Sequence, residues 1–313
     1  MENIAFRKLT DDLMSIYSEG KYADALHLVE ENAGRFPGEI ARTTFWRMCL
    51  LSMCNRPADV MSVFQQGLDS GLWWAEKQFS LDSDLDAVRD LPEFKRLVAI
   101  SRKKYLQARA ESKPDRALLM RDEALANSPL LIALHGRNGN KDSDLEQWEV
   151  ARQRGWLVLS PQSSQPIYPG AYCWDESDQG LRDILFYMED ILSTCKVDRS
   201  RIVIAGFSQG SGMALYAALS GKVPVYGFIG VGTWWADPDE LDSLARQSKS
   251  LRGYFVTGEK DPTFERVREI QNILRNNNVP FAEEVHADLE HEFPTDFATS
   301  FDKAIDFIFK EQE

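Results

Sequence analysis

Cysteine is scarce in this 313-residue sequence. The four present, Cys49, Cys54, Cys173 and Cys195, form no Cys-x-x-Cys pair and no spacing that would ligate zinc. A disulfide-stapled fold and a cysteine metal centre are therefore not expected, and reduced thiols point to a cytoplasmic protein. Long hydrophobic runs are missing too. The longest apolar stretch, residues 223–236, is broken by glycines and too short to span a bilayer as a helix. The first residues show no basic stretch followed by an apolar one, so no secretory leader is expected. Positive charge is in deficit: 36 Lys+Arg face 49 Asp+Glu, for a net charge of -13. Residues 1–112 hold 15 basic against 17 acidic side chains, so most of the deficit falls on residues 113–313. Such a surface repels phosphate backbones and anionic headgroups, which argues against nucleic acid and stable membrane attachment as partners.

What is present suits a globular chain with a substantial core, at 43% apolar and 11% aromatic residues. It falls into two parts with different periods, giving expected domains at 1–112 and 113–313. In the first, Leu9, Leu13, Ile16 and Tyr17 recur at helical spacing, and Gly20 ends that helix. Further helices are expected at 22–34, 39–54, 58–67 and 92–110. Gly20-Lys-Tyr-Ala-Asp-Ala25 and Asn55-Arg-Pro-Ala-Asp-Val60 lie 35 residues apart, resembling part of a tetratricopeptide repeat. A helical bundle without a true repeat is the alternative. Asp82, Asp84 and Asp86 lack the glycine and closing glutamate of a calcium loop, so capping or solvated surface is expected there.

From residue 129 onward, short apolar runs at 130–134, 156–160, 201–205, 225–231, 253–257 and 281–285 alternate with helical stretches. The helices are expected at 178–195, 211–220, 238–247, 263–277 and 297–310. Residues 117–123 are expected to add a leading strand. This alternation predicts an α/β fold with a mostly parallel sheet flanked by helices, preceded by the all-α part.

The segment Arg201-Ile-Val-Ile-Ala-Gly206-Phe207-Ser208-Gln209-Gly210 leads an apolar strand into Gly-x-Ser-x-Gly and then an Ala-rich helix. That is the context in which a serine sits on a tight strand-to-helix turn with its hydroxyl exposed at a helix N-terminus. Such a hydroxyl needs a base, and only His286 and His291 follow it. His291, in the loop past the strand ending near residue 285, is the better placed, with His286 as alternative. The acid is expected in the loop Gly258-Glu259-Lys260-Asp261-Pro262, as Asp261 or, failing that, Glu259. Leu134-His135-Gly136-Arg137-Asn138-Gly139 runs a strand into a glycine-containing loop. Backbone N–H groups of Arg137 and Gln209 are the candidate oxyanion donors, and His135 is expected to brace the loop. Trp174, Trp234 and Trp235 are candidates for the walls of an apolar substrate pocket, with core packing as the other reading.

Together, Leu134-His135-Gly136, Gly206-Phe207-Ser208-Gln209-Gly210, Gly258…Asp261, His291 and Trp174-Asp175 resemble the phospholipase/carboxylesterase family of α/β-hydrolases, which includes acyl-protein thioesterases. The resemblance spans about residues 128–310. It implies a hydrolase of carboxylic esters or thioesters that needs no metal or cofactor. Three departures stand out: Asn138 in place of a second glycine, Gly230-Val-Gly232-Thr-Trp234-Trp235 in place of a small Ser-Gly segment, and the helical N-terminal part. The expected function is a cytoplasmic serine hydrolase acting through an acyl-enzyme on a small or acylated substrate. The helical part is open to a protein partner or self-association. The rival readings are a peptidase or amidase with the same residues, and a non-catalytic interaction protein on a hydrolase scaffold.

Overall fold

The computed structural model describes residues 2–120, 127–248 and 251–310. Contacts divide the chain into two compact units, Met1–Ser112 with Pro166–Gly170, and Lys113–Gln165 with Ala171–Glu313.

The first unit is helical: α1 (Glu2–Ser18), α2 (Tyr22–Asn32), α3 (Ile40–Met53), α4 (Pro57–Asp69), α5 (Glu76–Leu81), α6 (Asp86–Arg89) and α7 (Pro92–Glu111). The apolar residues at spacings of three and four go inward: Leu9 and Leu13 on α1, Val60, Val63, Phe64 and Leu68 on α4. Gly20 and Asn55 both take positive φ, 73° and 55°, where α1 turns into α2 and α3 into α4. Five residues on, Ala25 and Val60 are both fully buried. Phe64 packs between Trp74, Phe79 and Phe94, with ring centroids 4.9–5.7 Å away. Of the aspartates after α5, Asp82 serves as a cap, accepting the Asp84 N–H at 3.1 Å, and Asp84 accepts the Tyr17 hydroxyl at 2.6 Å.

The second unit contains β1 (Arg116–Leu119), β2 (Ser128–Leu134), α8 (Leu145–Gln153), β3 (Leu157–Pro161) and the short β5 (Ala171–Tyr172), β4 being Pro166–Tyr168. It continues through α9 (Ser177–Thr194), β6 (Val197–Phe207), α10 (Gln209–Leu219), β7 (Gly227–Val231), α11 (Pro238–Ala245), β8 (Arg252–Gly258), α12 (Phe264–Asn276), β9 (Phe281–His286) and α13 (Phe297–Phe309). Seven strands form one sheet in the order β1-β3-β2-β6-β7-β8-β9, antiparallel only where β1 meets β3. The leading strand thus exists but is shorter than expected; residues 121–123 lie outside the described residues. Helix α8 went unanticipated, because its Trp148, Val150 and Ala151 make only a short apolar face among charges.

Side chains alternate across the sheet. On β2, Leu130, Ile132 and Leu134 join the core beneath α9 to α12, while Leu131 and Ala133 join the opposite core beneath α8 and α13. Strands buried on both faces explain why they read as continuous apolar runs. From β2 the chain moves outward to β3 and then returns to β6 on the other side. The carboxyl ends of β2 and β6 therefore flank the point where strand order reverses, a natural crevice. Among the described residues no helix is long and apolar enough to cross a membrane.

This packing makes a stability prediction. Phe301→Ala, at a position 1% exposed in the α13 core, should cost about 3–5 kcal/mol in urea unfolding. Phe186→Ala, 53% exposed on α9, should stay within about 0.5 kcal/mol of the parent. Equal costs would mean that α13 is not packed as described.

Candidate active site

β6 ends at Phe207 and α10 begins at Gln209, so the whole reversal is left to Ser208, which adopts φ 54° and ψ -123°. Positive φ is uncommon for a residue with a side chain and is held here by its surroundings. Ser208 N–H donates to the Val231 carbonyl at 2.9 Å, and its own carbonyl accepts from Gly212 at 3.2 Å and Trp234 at 3.3 Å. The flanking glycines are set by space: a Cβ on Gly206 would lie 2.4 Å from the Gly210 carbonyl carbon, and one on Gly210 would lie 2.3 Å from the His135 oxygen. No side chain fits at either position.

The structure brings three of the candidate residues into one chain of hydrogen bonds. His291 Nε2 lies 2.9 Å from Ser208 Oγ, and His291 Nδ1 lies 2.8 Å from Asp261 Oδ2. Asp261 is buried at the end of the β8 loop, and its Oδ1 accepts both the N–H and the hydroxyl of Thr263, each at 2.7 Å. Burial alone pushes the Asp261 carboxyl up. The hydrogen bonds from His291 and Thr263, with the His291 charge, outweigh it and hold the carboxyl below its ordinary value. The Phe207 ring lies against His291 with centroids 4.8 Å apart. An imidazole with an acid on Nδ1 and a hydroxyl on Nε2 can take the hydroxyl proton and return it to a leaving group.

The two alternative residues lie differently. Glu259 is exposed, and its N–H donates to the His286 carbonyl at 3.0 Å. His286, at the end of β9, sits 3.5 Å from Glu284.

The loop after β2 reaches the elbow: a Cβ on Gly136 would come within 3.5 Å of Ser208 Cβ. Asn138 takes the left-handed φ of 64° that a glycine would otherwise supply, and its N–H donates to the Tyr172 carbonyl at 3.0 Å. His135 is buried behind this loop, its Nδ1–H donating to the Gly136 carbonyl at 2.9 Å and its Nε2 accepting from Ser163 N–H at 3.4 Å. Burial pushes its imidazole down to about 4, despite the opposing Gly136 hydrogen bond, and fixes it as a neutral brace.

The three tryptophans have separate fates. Trp174 is 1% exposed, with its indole N–H donating to the His135 carbonyl at 2.9 Å and its ring 5.0 Å from the imidazole. Trp235 is also buried, stacked on Tyr216 and donating to Glu240 at 3.1 Å. Both are turned into the core, where packing and a satisfied indole N–H hold them, and not toward a pocket. Only Trp234 keeps part of its side chain at the surface.

Sequence reasoning missed the polar cluster behind Ser208. Asp175 Oδ1 accepts from the Arg137 guanidinium and, at 2.8 Å, from the Gln209 side-chain amide. Gln209 Oε1 in turn accepts the Trp174 N–H at 3.1 Å. The pair Trp174-Asp175 was visible, but nothing in it told which groups it would meet.

Residues 176–310 match the family described as Phospholipase/Carboxylesterase, and residues 5–109 match the A/B hydrolase-like N-terminal domain. No curated protein matches the chain. Among solved structures, an uncharacterized protein from Bacillus cereus ATCC 10987 aligns over 98% of this chain and 99% of its own, at 23% identity and a TM-score of 0.56. Esterase PE8 covers 61% of this chain and 96% of its own, at 16% identity and a TM-score of 0.50. An S-formylglutathione hydrolase from Agrobacterium tumefaciens covers 63% and 91%, at 15% identity and a TM-score of 0.51. At these identities the likeness is one of fold.

The neutral His135 generates a pH prediction. On acidification the unfolded chain takes up this proton from about 6.5 downward, whereas the folded chain does not until about 4. Stability is therefore lost across that window, at roughly 1.4 kcal/mol per pH unit. Between about pH 7 and pH 5, urea unfolding of the wild type should lose about 2 kcal/mol more than that of His135→Gln. An equal loss in the two proteins would show that His135 is not held neutral.

Proposed function

We infer that this chain, whose residues 176–310 belong to the phospholipase/carboxylesterase family, is a serine hydrolase of carboxylic esters or thioesters. The family supports ester hydrolysis; the finer reading rests on the unbroken line from Asp261 through His291 to Ser208, with both contacts under 3 Å. In this reading Ser208 Oγ attacks the substrate carbonyl while His291 Nε2 takes its proton. Asp261, ionised and buried, keeps the imidazole in the tautomer with hydrogen on Nδ1 and stabilises the imidazolium.

The tetrahedral oxyanion then lies against the N-terminus of α10, where the helix dipole favours negative charge. The backbone N–H groups of Gln209 and Arg137 serve as its donors; among the described residues neither has a protein acceptor. Collapse expels the alcohol or thiol with a proton from His291, and water, deprotonated by the same imidazole, releases the acid. The partly exposed Trp234, whose backbone N–H is bound to the Ser208 carbonyl, forms one wall for the acyl or leaving group. Residues 1–112 contribute none of these groups and form a separate domain open to a partner. The four free thiols support a cytoplasmic location.

A fluorophosphonate probe should label Ser208 stoichiometrically, and Ser208→Ala should take up none. His291→Ala should lower kcat by at least about 10⁴-fold, and Asp261→Asn by about 10⁴-fold through the wrong tautomer. His286→Ala should turn over near normally. If His286→Ala is the inactive protein and His291→Ala is not, the assignment of the base is wrong. Persistent labelling of Ser208→Ala would sink the nucleophile.

A further inference from the structure

We infer that Asp175 is a positioning residue that clamps the two oxyanion donors in register. The inference rests on the serine-hydrolase reading above and extends it to a residue that acts through the two donor residues. The two proposed donors come from chain segments about 70 residues apart: the loop after β2, carrying Arg137, and the first turn of α10, carrying Gln209. No backbone hydrogen bond between the two residues joins them. One carboxylate oxygen bridges their side chains. Asp175 Oδ1 accepts from Arg137 Nη1 and from Gln209 Nε2 at the same time.

Asp175 is itself held from behind. The preceding residue, Trp174, donates its backbone N–H to Gln209 Oε1 at 3.1 Å and its indole N–H to the His135 carbonyl at 2.9 Å. The Gln209 side chain therefore uses both ends of its amide on residues 174 and 175, and is buried. The closed ring Arg137–Asp175–Gln209–Trp174–His135 ties the side chains of both donor residues to one another, leaving their main-chain N–H groups to converge on the carbonyl. Such donors help only if they stand in place before charge develops, so a shift of a few tenths of an ångström is felt in the transition state and scarcely in the ground state.

Charge balance adds a second consequence. An ionised carboxylate bonded to both donor residues would oppose a developing oxyanion, and the Arg137 guanidinium neutralises that carboxylate by direct contact. Removing the guanidinium alone is then worse than removing both charges.

The test uses the full chain, a short-chain chromogenic ester, and a trifluoromethyl ketone. The ketone accepts Ser208 Oγ at its carbonyl carbon: the C–O bond forms, the carbonyl π pair becomes an oxyanion, and the serine proton passes to His291. Asp175→Asn should lower kcat about ten- to a hundredfold with KM changed less than about twofold. Its ketone affinity should fall by the same factor as kcat/KM, while its melting temperature stays near the parent's. Arg137→Met, which retains the backbone N–H, should lose more than Asp175→Asn, and the double variant should recover part of that loss. Wild-type kcat and ketone affinity in Asp175→Asn would overturn the inference, as would a loss carried wholly by KM or by unfolding. Failure of the underlying reading looks different: the wild type itself would neither bind the ketone nor take up a fluorophosphonate.

Discussion

The reversal between β6 and α10 is the constraint on which the rest of the site depends. At Gly206 and Gly210 the backbone of the elbow approaches itself and the end of β2 more closely than any Cβ allows. That contact pins the N-terminus of α10 against the loop after β2, leaving Ser208 alone to absorb the turn in a left-handed conformation. The strain places its hydroxyl at the sheet's carboxyl edge, at the point where strand order reverses. The same carboxyl edge carries the β8 loop with Asp261, and the loop past β9 carries His291 to it.

Around this turn, several polar groups turned away from solvent are answered by specific partners. Asp261 uses one oxygen for Thr263 and the other for His291. His135 survives inside because it is neutral and both ring nitrogens have partners. Asp175 and Arg137 cancel each other's charge. Each burial would be costly unpaired, so the loops that carry these groups have few alternative arrangements.

The parallel strands were legible because burial on both faces leaves unbroken apolar runs, and Ser208 because its strand-turn-helix context is local in sequence. Asp261 and His291 were narrowed to pairs of candidates by chain order, Asp261 being preferred to Glu259 as lying further into the loop past β8, and His291 to His286 as lying beyond the end of β9. What lay out of reach was set by long-range partners. Trp174 offered no signal of which way its ring would turn, since the His135 carbonyl that accepts its indole N–H is 39 residues away. Asp175 was visible only as part of a motif, because its donors come from two distant segments. Helix α5 is a single six-residue helix with little amphipathic period to find.

The Thr-Trp-Trp segment after β7, unusual for its bulk, is built into this arrangement. A Cβ on Gly232 would come within 3.0 Å of Asp261 Oδ2 and of the His291 ring, so the segment begins as the floor beneath that pair. Thr233 then reaches Ser211 Oγ at 2.6 Å, and the Trp234 backbone N–H binds the Ser208 carbonyl. Trp235 is fixed by Tyr216 and Glu240. With the residues on either side anchored, the backbone at position 234 has little freedom, and Trp234 is the one residue of the segment that is only partly buried. A bulky side chain on so constrained a backbone is held in one place, and the hydrogen bond from the Trp234 backbone N–H ties it to the elbow at Ser208.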